Sequence, residues 1–222
     1  MSPAAEAAQL RFMGPLSALD ADTRAALLDR STSSDDTIRQ DAARIIADVR
    51  RDGDRTLQEL ARRLDGVDLE RFEVPRARWQ QAVDALDPAL RRALERAARN
   101  IAAVHEAFRP QAVETSPEPG IVIGRRPDPL DRVGVYAPGG RAAYPSSVLM
   151  GVVPARVAGV REVVVCSPPA RTDVPSDVVL AAAEIGGVDR VFALGGAGAI
   201  AAMAYGTSQV PRVDRIVGPG NA

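Results

Sequence analysis

Gly196, Gly198 and Ala201 make a G-x-G-x-x-A run between the β-branched stretch RVFAL and a small-residue stretch able to be helical. Such glycines close a tight turn and bring backbone N–H groups against a dinucleotide pyrophosphate at a helix N-terminus. That chemistry also needs an acid about 20 positions on, at the end of the next strand, to hold a ribose. Asp214 has roughly this spacing, but it begins its strand, far from the cofactor edge. The alternative is that the small residues only allow close packing of helix on strand.

Tyr136 closes another β-branched run, RVGVY, and leads into APGGRAAYPSS. Its ring can stack on a planar base and its hydroxyl can hydrogen-bond, or it can simply pack. Pro138-Gly139-Gly140 permits a sharp turn, after which Ser146 or Ser147 can cap the next helix with its N-terminus facing the loop. This suits an anionic or carbonyl-bearing group; the alternative is a tight connection that binds nothing. Cys166 also follows a strand, but with no histidine in this half to activate it we expect a buried, inert thiol. His105, the only histidine, is expected to pack on or cap its helix, and with the single cysteine it cannot make a zinc site of Cys and His type. No catalytic residue and no metal ligand emerges from this chain.

The elements that must position these residues differ between two regions, 1–131 and 132–222. The first is mainly helical. Ile38, Ala42, Ile45, Ile46 and Val49 recur at helical spacing, with Ser34 as N-cap and Gly53 as stop. Asp54 then caps TLQELARRL, with Leu57, Leu60 and Leu64 inward. Pro75 and Pro88 open two further helices, the second carrying Leu90, Leu94, Ile101 and Phe108 inward and ending by Pro110. Strands are expected at 121–124, 132–136, 162–166, 190–194 and 214–218. Helices alternate with the last four, the first of them kinked or shortened by Pro154. This alternation predicts an α/β fold, a helical region followed by a Rossmann-like, doubly wound parallel sheet. Ligands of such sheets sit beyond the carboxyl ends of the strands. The loops after Tyr136, Cys166, Leu194 and Val217 are therefore the ones to inspect.

Composition narrows the partners. Lys and Arg number 28 against 29 Asp and Glu, so the net charge of -1 offers no footprint for nucleic acid. No stretch is apolar enough for a membrane span or a secretory leader, which predicts a cytoplasmic protein.

Taken in order, VGVYAPGGRAAYPSSVLMGVVPARVAGV, VVVCSPP, VDRVFALGGAGAIAAMAYGT and VPRVDRIVGPGNA closely resemble histidinol dehydrogenases, and DVRRDGDRTLQELARRLDG is similar to that family's N-terminal region. The resemblance implies an NAD-dependent, zinc-containing, usually homodimeric enzyme. It oxidises L-histidinol to L-histidine in two steps through an aldehyde, at the end of histidine biosynthesis. It assigns NAD contacts to Tyr136 and Asn221, and to a glutamine whose position here is Gly198. The family's proton-handling residues and zinc ligands lie beyond the G-P-G-N motif. The chain is thus expected to be an N-terminal part truncated before them, carrying the NAD side and giving no NADH from histidinol alone. It is also expected to leave apolar faces exposed. A second expectation is a non-enzymatic nucleotide-binding or dimerisation module.

Overall fold

A computed structural model describes residues 14–28, 36–139, 143–170 and 173–219, with the backbone alone at Ala26. Ser34, Gly140 and Asn221 lie outside the described residues. After a 3-10 turn, Leu16–Ala18, come α1 (Ala21–Leu28), α2 (Asp36–Asp52) and α3 (Asp54–Leu60), the last running into a π-helical turn, Ala61–Asp65. Next are α4 (Arg76–Ala85) and α5 (Pro88–Ala107), then β1 (Val113–Glu118), β2 (Ile121–Arg125) and β3 (Arg132–Tyr136). The chain continues through α6 (Pro145–Val157), β4 (Glu162–Ser167), α7 (Asp177–Gly186), β5 (Arg190–Ala193), α8 (Gly196–Tyr205) and β6 (Arg215–Val217).

The β-branched runs pair as expected, all parallel, in the order β5-β4-β3-β6. The chain therefore starts at β3, winds outward one way through β4 and β5, and returns to the other side of β3 with β6. This is the half-sheet of a doubly wound fold, and its direction reverses between β3 and β6. Successive residues of β3 face opposite layers. A Cβ on Gly134 would lie 2.5 Å from Met203 Sδ of α8, whereas Val135 meets Gly151 of α6. Helices cover both faces, α6 and α7 on one and α8 on the other. The N-terminal helices form an outer layer, α4 on α7, α5 on α6 and α7, and α2 and α3 on α8.

One buried core runs through both regions, from Val49, Leu57, Phe72 and Trp79 to the strands. Phe72–Val74 covers the outer edge of β5, with Val74 N donating to Val191 O and Ala193 N to Phe72 O, both at 2.8 Å. Among the described residues β6 pairs only with β3.

Several local expectations are corrected. Asp54 caps nothing: it is the first residue of α3, and its carboxylate accepts from the Ser208 hydroxyl. Neither Ser146 nor Ser147 caps α6, which opens at Pro145 and holds both serines inside its first turn. Pro154 does not shorten α6, which runs past it to Val157. The acceptor it strips of an N–H is the Met150 carbonyl, on the exposed side of the helix where water can satisfy it. Leu94 of α5 is buried and Ile101 half-buried, but Leu90 and Phe108 are exposed. Phe108 already lies past the helix end. Leu64 is exposed because the π-helical turn, with its extra residue, rotates it off the face set by Leu57 and Leu60. His105 is exposed in the last turn of α5, not packed. The strand at 121–125 has an unforeseen antiparallel partner, β1.

Candidate dinucleotide crevice at the strand ends

The loops after β3, β4, β5 and β6 gather at the carboxyl ends of the strands, and glycines sit where they cross. A Cβ on Gly139 would lie 3.0 Å from Pro168, and one on Gly195 2.9 Å from the same ring. Gly218 is tighter still. At φ +145, its Cβ would sit 2.2 Å from the Tyr136 carbonyl oxygen. The loop leaving β6 thus runs hard against the end of β3, at the reversal point where doubly wound sheets hold their ligands.

Tyr136 joins these loops. Its hydroxyl accepts from the Gly196 N–H at 3.0 Å, tying the end of β3 to the start of α8. Half-burial pushes the hydroxyl's pKa up. The Gly196 N–H opposes that shift, and the nearby Asp65 carboxylate adds to it. The group therefore stays protonated near neutrality, with its own O–H left to donate. Gly196 adopts φ +58, and a Cβ there would meet open space, so the turn into α8 presents bare backbone.

Gly198, the second glycine of the G-x-G-x-x-A run, is buried in the first turn of α8. Its closest neighbours are Leu60 and Leu57, at 2.9 and 3.4 Å from a built Cβ. Its small size serves the packing of helix against helix, where the sequence suggested helix against strand. Asp214 precedes β6 and accepts from Arg132 N at 2.8 Å, at the amino end of the sheet, opposite the crevice.

Cys166 is fully buried, and loss of water pushes its thiol pKa up to about 12. A soluble disulfide reagent at pH 8 should leave it unmodified in the folded protein and titrate one thiol after denaturation. Rapid modification of the native chain would contradict this burial.

Two concavities flank the crevice. One of about 320 Å³ lies at the ends of β3 and β4, between Pro138, Gly139, Ser167 and Pro168 on the sheet side and Leu64 and Asp65 of the π-helical turn on the other. Sequence reasoning missed this wall because it comes from the helical region. The larger, about 990 Å³, is a mainly apolar trough on the flank of α6 and β6, past Met150 and Pro154. The loop chemistry gathers at the smaller one, and size alone does not make the larger the site. No three His, Cys, Asp or Glu side chains among the described residues come together to hold a metal, and none of their helices is long and apolar enough to cross a membrane.

A family profile described as histidinol dehydrogenase matches residues 28–222. Histidinol dehydrogenase of Bordetella parapertussis is 50% identical over 199 residues, and that of Methanosarcina barkeri 48% over 196; each alignment covers 88% of this chain and 45% of the relative. The chain therefore spans less than half the length of these relatives. A crystal structure of histidinol dehydrogenase from Elizabethkingia anophelis superposes with a TM-score of 0.83 at 26% identity, covering 91% of this chain and 47% of that one.

Proposed function

Because the chain belongs to the histidinol dehydrogenase family, we propose that it is the dinucleotide-binding part of an enzyme that oxidises L-histidinol to L-histidine, through the aldehyde, in two NAD-dependent steps. Residues 132–222 are the binding unit and the region before them is its helical support. The supporting observation is the convergence of Tyr136, Gly139, Gly196 and Gly218 where the sheet reverses direction. Bound NAD would accept one hydride in each of the two oxidations.

The chain's own residues bind and orient. Tyr136 offers a ring face and a protonated hydroxyl, and the bare backbone at Gly196 lets a ligand approach closely. Asn221 is assigned a further hydrogen bond to the cofactor. The resemblance puts a cofactor-contacting glutamine at the position of Gly198; a lost hydrogen bond of that kind costs about 0.5–1.5 kcal/mol, and here a Cβ at this position faces Leu57 and Leu60. Within this proposal the chain's share of the chemistry is the cofactor side. A cytoplasmic homodimer belongs to the same proposal.

Calorimetric titration of the 222-residue protein with NAD tests this reading; a folded sample giving no heat at millimolar NAD would refute it. Tyr136→Ala should weaken binding about tenfold, the equivalent of ~1.4 kcal/mol. Tyr136→Phe keeps the ring and should weaken it less. By leaving the Gly196 N–H unpartnered, Tyr136→Phe should also lower stability by about 1 kcal/mol. Equal affinity of all three proteins would remove Tyr136 from the site.

A further inference from the structure

We infer that Asp65, contributed by the helical region, holds the ribose of the dinucleotide's adenosine half and sets a preference for a free 2′-hydroxyl over a 2′-phosphate. This rests on the dinucleotide reading above and adds the residue that chooses between the two cofactor classes.

In a doubly wound sheet the adenosine ribose lies beyond the second strand from the reversal point, and an acid at that strand's end receives its hydroxyls. The equivalent strand here is β4. Its end reads Ser167-Pro168-Pro169, with no acid, while the acid at the expected spacing in sequence, Asp214, sits at the far edge of the sheet. The cavity at the ends of β3 and β4 nevertheless has a carboxylate on its opposite wall, that of Asp65.

Three features place Asp65 in that role. The π-helical turn Ala61–Asp65 interrupts the helical phase and brings Leu64 and Asp65 to the cavity, and Gly66 in the left-handed conformation ends the helix immediately after them. Extra-residue turns of this kind recur at functional sites. Among the described residues, Asp65 also has no internal partner. Part of its surface stays open, yet loss of water pushes its carboxyl pKa up, with no cation or hydrogen-bond donor among the described residues to offset it. Finally, its charge is felt at the Tyr136 hydroxyl, so it lies on the same crevice. A carboxylate with free lone pairs facing a cavity can accept from two vicinal hydroxyls, and it repels a phosphate.

The test compares NAD and NADP binding to the wild-type 222-residue chain and to Asp65→Asn by calorimetry, with circular dichroism to verify folding. Asp65 is exposed and has no partner among the described residues, so the amide should leave the fold intact. Wild type should bind NAD at least about tenfold tighter than NADP, and Asp65→Asn should lose about tenfold toward NAD, bringing the two affinities close together. If wild type binds NAD and Asp65→Asn keeps both its affinity and its preference, the inference is wrong and the dinucleotide reading survives. An equal loss toward both dinucleotides also overturns it, because the acid would then support the crevice without choosing. If wild type binds neither dinucleotide, the functional reading fails and the inference fails with it.

Discussion

Trp79→Ala should destabilise the folded chain by about 3–5 kcal/mol, the range for removing a fully buried large aromatic. Trp79, the only tryptophan, is 1% exposed on α4, the helix that lies on α7. Its indole N–H donates to the Val74 carbonyl at 3.1 Å, and the Arg76 guanidinium lies 5.4 Å over the ring. Truncation would leave a cavity and also orphan an acceptor in the segment Phe72–Val74 that covers the edge of β5. Urea unfolding followed by far-ultraviolet circular dichroism measures the loss, and the melting temperature should fall by roughly 6–20 °C. Trp79→Phe keeps most of the ring and gives up the N–H bond, so it should cost about 1–2 kcal/mol. A loss below 1 kcal/mol for Trp79→Ala would mean that α4 is not docked on α7 as described.

That docking was only partly legible in the sequence, for a physical reason. Periodicity identifies residues that share a helix face, but not how much of the face a neighbour covers. It placed Leu94 and Leu90 together on α5, yet only Leu94 meets another element closely enough to be buried. The parallel strands were easy to read because both faces are covered, and runs such as Val163-Val164-Val165 carry that condition directly. Strand β1 was invisible because none of its residues is buried and Pro117 cannot donate to a ladder. Its register against β2 shifts between Thr115 and Glu118, around that proline. For the site, topology selected the loops that gather at the carboxyl ends of the strands. Asp65 lies outside them, in a turn whose phase change follows from no residue type; the only local signal was Gly66, a left-handed helix end. Gly198 shows the converse limit, since a glycine motif cannot tell whether its open side faces a ligand or, as here, Leu57 and Leu60.

The glycine whose role the structure defines most sharply is Gly218, and Gly218→Ala should weaken both the end of the sheet and the proposed cofactor site. Two costs combine there. Its φ of +145 is a conformation that side chains rarely adopt, and strain of this kind costs about 1–3 kcal/mol. The added methyl would also fall 2.2 Å from the Tyr136 carbonyl oxygen and 3.0 Å from its carbonyl carbon. Those atoms are backbone and cannot swing aside, so either the loop or the strand end must move. The nearest pairing at risk is Val135 with Val217, which holds β6 to β3. Gly187→Ala separates the two costs, since Gly187 has φ +79 with nothing within 4 Å of a built Cβ. It should lose about 1 kcal/mol from the backbone alone. Gly218→Ala should exceed that by at least about 1 kcal/mol in urea unfolding and weaken NAD about tenfold, whereas Gly187→Ala leaves NAD affinity unchanged. If the two variants lost the same stability and bound NAD equally well, the loop would not lie against the Tyr136 backbone. The convergence of strand ends on which the cofactor assignment stands would then be broken at its tightest contact.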